Sequence, residues 1–284
     1  MAAGALTDTM IDTSQGRLHV SVAGQGPWAV LWHSLFVDSA SWERVRDRLA
    51  ERRRLIIIDG PSHGGSEPAA RRFTVAECAA AANDVLDALG VDGPVDWVGN
   101  AWGGHVGVQF AAAYPKRCRT LVTIGTPVPA LSAAERRRIR PLVWMYGITG
   151  PIRPLTAKVS EALLGSELRR DDPDAAQLVE KPLQGADRRG MHLAMHSAML
   201  DRLDLTPVLS MVTAPTLLVG AAQDPLWAID DARSAISHLP GGRVAVLPGA
   251  GHIAPLLQAA PALADLICQF WTDPVTAGSP AGPL

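Results

Sequence analysis

Four short stretches of this 284-residue chain put reactive residue types directly after apolar runs. The first is Gly99-Asn100-Ala101-Trp102-Gly103, which has the G-x-S-x-G spacing of a nucleophile elbow, a sharp strand-to-helix turn that exposes an attacking side chain. Its middle position is Ala101, and alanine has no atom able to attack a carbonyl. Downstream, "AAQDPLW" presents Asp224 and "LPGAGHIAP" presents His252. Nucleophile slot, acid and histidine in that chain order match a hydrolytic triad, in which the imidazole carries the proton and the carboxylate fixes its tautomer and stabilises its charged form. A loop Asp before Pro is ordinarily a turn former and a lone His ordinarily structural. Three such positions in order, each at a strand end, favour chemistry over coincidence. The fourth stretch, "HSLFVDSASW", follows another apolar run, where backbone N–H groups converge with helix N-termini.

Three further histidines have bland readings beside the functional one. His105, one turn into the segment after the elbow, reads as a packing residue that can also face a pocket. His33, at a strand end, is balanced between the two, and His63 in "DGPSHGGS" reads as a residue that holds its turn.

Elements to position these residues alternate along the chain. Residues 18–24, 28–33, 55–59, 95–100, 120–126, 216–221 and 243–248 are short apolar runs that predict strands. Those from 28 onward are apolar on both faces and are expected in the middle of a parallel sheet covered by helices. "SWERVRDRLA" puts Trp42, Val45 and Leu49 on one helical stripe with Ser41 as its cap; "TVAECAAAANDVLDALG" starts on Thr74 and stops at Gly90; the last helix breaks near Pro261. Between about 130 and 210 the alternation gives way to successive helical segments. The expected organisation is therefore an α/β core of residues 1–129 and 210–272, a helical lid over 130–209, and a disordered tail over 273–284. Trp144, Met145, Tyr146, Met191, Met195 and Met199 are lid residues that either line a pocket or pack between helices.

Composition limits the partners. A net charge of −2 offers no general attraction for nucleic acid or anionic lipid. "ERRR" (51–54) and "ERRRIR" (135–140) read as solvated helix faces ahead of anion patches. No run reaches the roughly 18 apolar residues of a membrane helix, and the first basic residue is Arg17, so neither a membrane span nor a signal peptide is expected and the default location is cytoplasmic. Cys78, Cys118 and Cys268 read as small core residues in a reducing compartment. The partner expected is a small molecule; the oligomeric state is left open.

With these residues in view, the chain resembles the α/β-hydrolase superfamily from about residue 15 to 272. The resemblance rests on the "HSL" turn, on "DGPSHGGS" matching a D-x-x-G-x-G-x-S loop with Ser62 in place of the first Gly, on the elbow, and on "APTLLVGAAQDP" and "GAGHIAP". Within the superfamily, "SLFVDSASW" is similar to the 3-oxoadipate enol-lactonase group. The resemblance implies a doubly wound, mostly parallel α/β sheet with an inserted helical lid and no cofactor. It further implies His252 as base, Asp224 as orienting acid, Ala101 in the nucleophile position, and oxyanion donors from the backbone of Trp102 with Leu35 or Ser34. His33, His105, Trp144 and Met145 are added as candidate pocket residues. The family's usual His-Gly is here His33-Ser34.

Ala101 leaves several readings open. It is an engineered replacement of a serine, of the kind that traps a bound ester or lactone; or it is natural, and a His252–Asp224 pair acts directly as general base in a lyase, a cyclase or a lactone-opening enzyme; or the chain binds a small molecule without turnover. "AWGG" is also similar to the "DWGG" of haloalkane dehalogenases and epoxide hydrolases with its Asp truncated, in which case Trp102 would be a halide-binding indole.

Overall fold

The apolar runs assemble into an eight-stranded sheet in the order β1-β2-β4-β3-β5-β6-β7-β8. The strands are β1 Thr7–Thr13, β2 Gly16–Ala23, β3 Trp28–Trp32, β4 Arg54–Ile58, β5 Val95–Asn100, β6 Cys118–Ile124, β7 Thr216–Ala221 and β8 Arg243–Leu247. The computed structural model describes residues 6–239 and 241–274. β1 and β2 form an antiparallel hairpin joined antiparallel to β4, and every pairing from β3 onward is parallel.

Alternation along the strands divides the core in two. Val30 and Trp32 of β3, with Ile56 and Ile58 of β4, face a cluster that includes α2 (Val75–Ala88) and α3 (Trp102–Ala113). Ala29, Leu31, Leu55 and Ile57 face the opposite cluster, built on α1 (Glu43–Ala50) and the last helix. A strand with apolar residues at successive positions can be satisfied only with helices on both faces, which is why this pattern gives a doubly wound sheet.

Two strand expectations need correction. β1 was not foreseen: in TDTMIDT only Ile11 is buried, so an outer strand leaves little apolar signal. β8 was expected centrally but lies at the far edge, and none of its residues is fully buried.

The helix starts follow local capping chemistry. Asp38, not Ser41, caps the short 3₁₀ turn Ser39–Trp42 that leads into α1, accepting the Ala40 N–H at 3.0 Å. Ser41 instead donates to the Asp38 carbonyl. Val45 and Leu49 are fully buried, each stabilising the α1 docking by about 1.5–3 kcal/mol of transfer free energy. Thr74 and Glu77 close a capping box on α2, and the chain leaves that helix through Gly90 at φ 66°.

Between β6 and β7 the described chain is helical: α4 Ala133–Thr149, α5 Arg153–Asp171, α6 Pro173–Gly185, α7 Arg188–Met195, a π-helical turn His196–Leu200 and α8 Thr206–Leu209. α5 is kinked at Gly165, where φ is 75°. The Arg44 guanidinium of α1 grips Asp172, the cap of α6, through two hydrogen bonds of 2.6 and 3.0 Å. After β7 come α9 (Ile229–Ile236), β8, α10 (Ala254–Leu257) and α11 (Ala260–Thr272). The break between the last two falls at residues 258–259, and Pro261 sits in the first turn of α11, where a missing N–H is harmless. The tail "TAGSPAGPL" lies outside the described residues. No described helix is long and apolar enough to cross a membrane, and all three cysteines are buried free thiols.

Candidate active site

β5 is buried at every position and runs straight into the turn at Ala101. Ala101 has φ 48° and ψ −104°, a conformation that a residue with a Cβ rarely adopts and that costs on the order of 1–3 kcal/mol. It persists because its surroundings leave no alternative. The Ala101 N–H donates to Ile124 O at 2.7 Å, and the Gly103 N–H to His33 O at 3.1 Å. Trp97 of β5 donates its indole N–H to Gly103 O at 3.1 Å. The flanking glycines are there for space. A Cβ on Gly99 would lie 2.1 Å from Gly103 O, and one on Gly103 would lie 1.9 Å from Trp32 O. The spacing Gly99–Gly103 is thus the signature of a strand and a helix pressed together at the turn.

As the first residue of α3, Trp102 has a backbone N–H without an intrahelical acceptor. Its ring is packed against Trp32, His33, His63 and Phe73, with centroids 5.0–5.9 Å away, and its indole nitrogen is buried with no partner.

Asp224 and His252 arrive from separate turns, after β7 and after β8. His252 donates from Nδ1 to Asp224 Oδ2 at 2.8 Å, and Asp224 Oδ1 accepts the Leu226 N–H at 2.8 Å. Because a carboxylate only accepts, the proton of a neutral His252 sits on Nδ1 and Nε2 keeps its lone pair. Both side chains are buried. The turn after β6 approaches them so closely that residue 125 must be glycine: its φ is 56°, and a Cβ would stand 3.3 Å from Asp224 Oδ2 and 3.0 Å from His252 O.

The loop after β3 completes the site. Phe36 is left-handed at φ 74° and its N–H donates to His63 Nε2 at 3.3 Å, while His63 Nδ1 donates to Pro61 O at 2.9 Å. Burial pushes the His63 pKa down to about 3, so it is the neutral imidazole this double role requires. Ser62, in place of the first glycine of its loop, is held left-handed at φ 69° and accepts the Ala69 N–H through Oγ. Asp59 ties the same loop to β2: burial raises its carboxyl, but hydrogen bonds from His19, Gly65 and Ser39 more than offset this and hold it below the ordinary value.

Ser34, Leu35, Ala101, Trp102, His105 and His252 all line one cavity of about 320 Å³, a volume suited to a small molecule. The structure therefore brings together most of the residues singled out in the sequence, but not all. His33 is fully buried outside the cavity lining; its Nε2 accepts the Gly60 N–H at 2.9 Å and its Nδ1 donates to Ser34 O at 2.6 Å, so it braces two loops. Trp144 is 67% exposed and Met145 packs against the core, and neither lines the cavity. Tyr146, Met191 and Met195 are buried in the core, leaving Met199 as the one residue of that group on the cavity wall.

His105 donates from Nε2 to Pro127 O at 2.8 Å, and burial, with the nearby Arg202, keeps it neutral. Glu135, Arg138 and Arg202 also line the cavity. None of them was singled out in the sequence: the "ERRRIR" cluster read as a solvated helix face, and "LDRLD" gives no sign that its arginine turns inward.

Comparison with known proteins identifies the fold family that carries this site. The family model described as alpha/beta hydrolase fold matches residues 27–259. A pimeloyl-[acyl-carrier protein] methyl ester esterase of Shewanella sp. (strain MR-7) is 31% identical over 232 residues, 74% of this chain and 78% of that protein. A poly(3-hydroxyalkanoate) depolymerase of Ectopseudomonas oleovorans is 27% identical over 76% of this chain and 74% of its own. Among solved structures, the enol-lactonase from Burkholderia xenovorans LB400 superimposes with a TM-score of 0.84 at 21% identity, covering 93% of this chain and all of that one.

Proposed function

Because the chain belongs to the α/β-hydrolase fold family, we propose that its cavity receives a small-molecule ester or lactone, with Ala101 in the nucleophile position, His252 as base and Asp224 as the acid that orients it. The oxyanion donors in this reading are the backbone N–H of Trp102 and that of Leu35 or Ser34; the neighbouring Phe36 N–H is engaged by His63. Residues 130–209 act as a lid, since Leu131, Ile139, Leu163, Ala198 and Met199 from that segment wall the cavity. Relatives named as a methyl ester esterase and an enol-lactonase agree with this substrate class.

The observation that carries the reading is the strained turn at Ala101 opening onto the same cavity as a hydrogen-bonded His252–Asp224 pair. Without a hydroxyl at 101 no acyl-enzyme forms there. In a serine protease, loss of the nucleophile lowers turnover by about 10⁶-fold, roughly 8–9 kcal/mol, while binding and the oxyanion donors retain some catalysis. Replacing Ala101 by Ser returns an oxygen to the tip of the turn. The Ala101→Ser variant is expected to hydrolyse aryl acetates and simple lactones at least about 10³-fold faster than the parent chain; an unchanged rate would refute the reading.

The intact pair in a chain without a nucleophile favours a second reading, in which His252 removes a proton from substrate or water directly while the backbone donors stabilise an enolate or tetrahedral oxyanion. In that case the parent chain is itself active and His252→Ala abolishes the activity. A halide-binding role for Trp102 is disfavoured, because its indole nitrogen is buried and its ring is packed against four others.

A further inference from the structure

Arg202 is 4% exposed, the only arginine or lysine among the described residues to be so enclosed, and it lines the same cavity as Ala101 and His252. No carboxylate among the described residues comes within ion-pair distance of it. Its partners are backbone carbonyls: Nη1 donates to Val128 O at 3.1 Å and Leu203 O at 3.3 Å, and Nη2 donates to Pro129 O at 2.6 Å. A guanidinium has five N–H donors, so Nε–H and one Nη2–H are left without an acceptor among the described residues. Nε and Nη2 share one edge of the guanidinium, and such an edge matches the two oxygens of a carboxylate.

Asp204 and Glu135 attract the guanidinium from beyond ion-pair distance and Arg136 repels it, and together they do not offset its burial. Glu135 sits at the exposed N-terminus of α4, where its carboxylate is taken by the Ser132 N–H and hydroxyl. Arg138, exposed one turn further along α4, adds a second positive charge, and His105 is neutral. Enclosing an arginine without a carboxylate in contact is expensive, and three carbonyl contacts with two more distant acids compensate it only in part. Tying Val128 and Pro129 in place calls for donors but not for a charge. Burial lowers the Arg202 pKa only to about 10, so the charge is present at neutral pH.

We infer that Arg202 is a substrate-recognition residue that binds a carboxylate, and that the ester or lactone taken by this cavity also carries a free acid group. The inference rests on the ester or lactone reading of the site and narrows it to anionic substrates. Arg202 holds the acid end within the cavity that residue 101 also lines, and so fixes which carbonyl is presented to residue 101.

The test uses the parent chain, with monomethyl adipate and dimethyl adipate as probes in calorimetric titration at neutral pH. The monoester is expected to bind about tenfold or more tightly than the diester. Arg202→Gln should remove that preference, so that monoester and diester bind with equal affinity within about twofold. Arg202→Lys keeps the charge but loses the fork, and should reduce the preference several-fold. Equal affinity for the two esters in the parent chain, absence of monoester binding, or a preference that survives Arg202→Gln or is undiminished in Arg202→Lys would each overturn the inference, the first two with no variant needed. Hydrolysis by Ala101→Ser separates this failure from that of the reading beneath it. A variant that cleaves both adipate esters without regard to charge removes only the role of Arg202, whereas one that cleaves neither ester and no aryl acetate removes the ester reading itself.

Discussion

Adding one methyl group at Gly99 tests whether the turn is as tightly built as the structure shows. The new Cβ would stand 2.1 Å from Gly103 O, 2.2 Å from Gly103 C and 2.4 Å from Gly104 N, all backbone atoms. Relief needs β5 and α3 to part by about 1.4 Å, given an ordinary carbon contact of roughly 3.5 Å. α3 has nowhere to go: Gly103 is pressed on Trp32 O, and a Cβ on Gly104 would already meet Thr126 Oγ1 at 2.0 Å. Overpacking a core ordinarily destabilises by about 1–3 kcal/mol, and contact with backbone places Gly99→Ala at the upper end, about 3 kcal/mol even after the unfolded chain's loss of entropy is counted. For a domain of this size that lowers Tm by roughly 6–12 °C. Gly93→Ala is the matched control, because nothing lies within 4 Å of its Cβ position and its φ is outside the left-handed region; its stability should be unchanged within about 0.5 kcal/mol. Urea titrations followed by circular dichroism measure both. Equal stability of the two variants would refute the close approach of strand and helix on which the elbow depends.

Two further substitutions probe the scaffold. His63, neutral when folded down to about pH 3, titrates near 6.5 when unfolded, so the unfolded chain takes up a proton first. Its contribution to stability is therefore present above pH 6.5 and lost progressively as pH falls from there to about 3, by up to roughly 1.4 kcal/mol per pH unit. The unfolding free energy of His63→Asn, measured from pH 7 to pH 4, should fall less steeply than that of the parent chain; identical slopes would show that His63 is not buried neutral. Asp172 both caps α6 and receives the Arg44 fork. Asp172→Ala should lose about 1–2 kcal/mol, while Asp172→Asn, which keeps the cap and drops the charge, should lose less than half of that in the same urea assay. Equal losses would mean the cap contributes nothing.

How far the sequence reached depended on whether an element's role leaves a local mark. β3 to β7 were legible because strands buried on both faces are apolar at most positions, and Thr74 marked the start of α2, where the structure adds Glu77 to close the capping box. β1 left almost no mark because only Ile11 is buried in it. β8 misled because its apolar residues look central while the sheet happens to end there. In the site, Ala101, Asp224 and His252 were readable from order and from the turns they follow. The neighbours were not. His33 and Trp144 read alike in sequence whether they face a cavity, brace a loop or stand in solvent; the loops at Ser34 and Gly60 decide it for His33, and the helical packing of 130–209 for Trp144. Arg202 was invisible for the same reason: an arginine in "LDRLD" reads as surface charge, and only its three backbone carbonyl contacts reveal that it is enclosed.

Covalent labelling of position 101 tests most directly whether this turn and this histidine form one catalytic unit. Ala101→Ser, treated with a fluorophosphonate and examined by intact and peptide mass spectrometry, should gain a single adduct on residue 101. The adduct should be absent from the parent chain and strongly reduced when His252→Ala is added. A serine at 101 that remains unlabelled, or that labels equally well without His252, would contradict the assignment of Ala101 to the nucleophile position of a His252–Asp224 site.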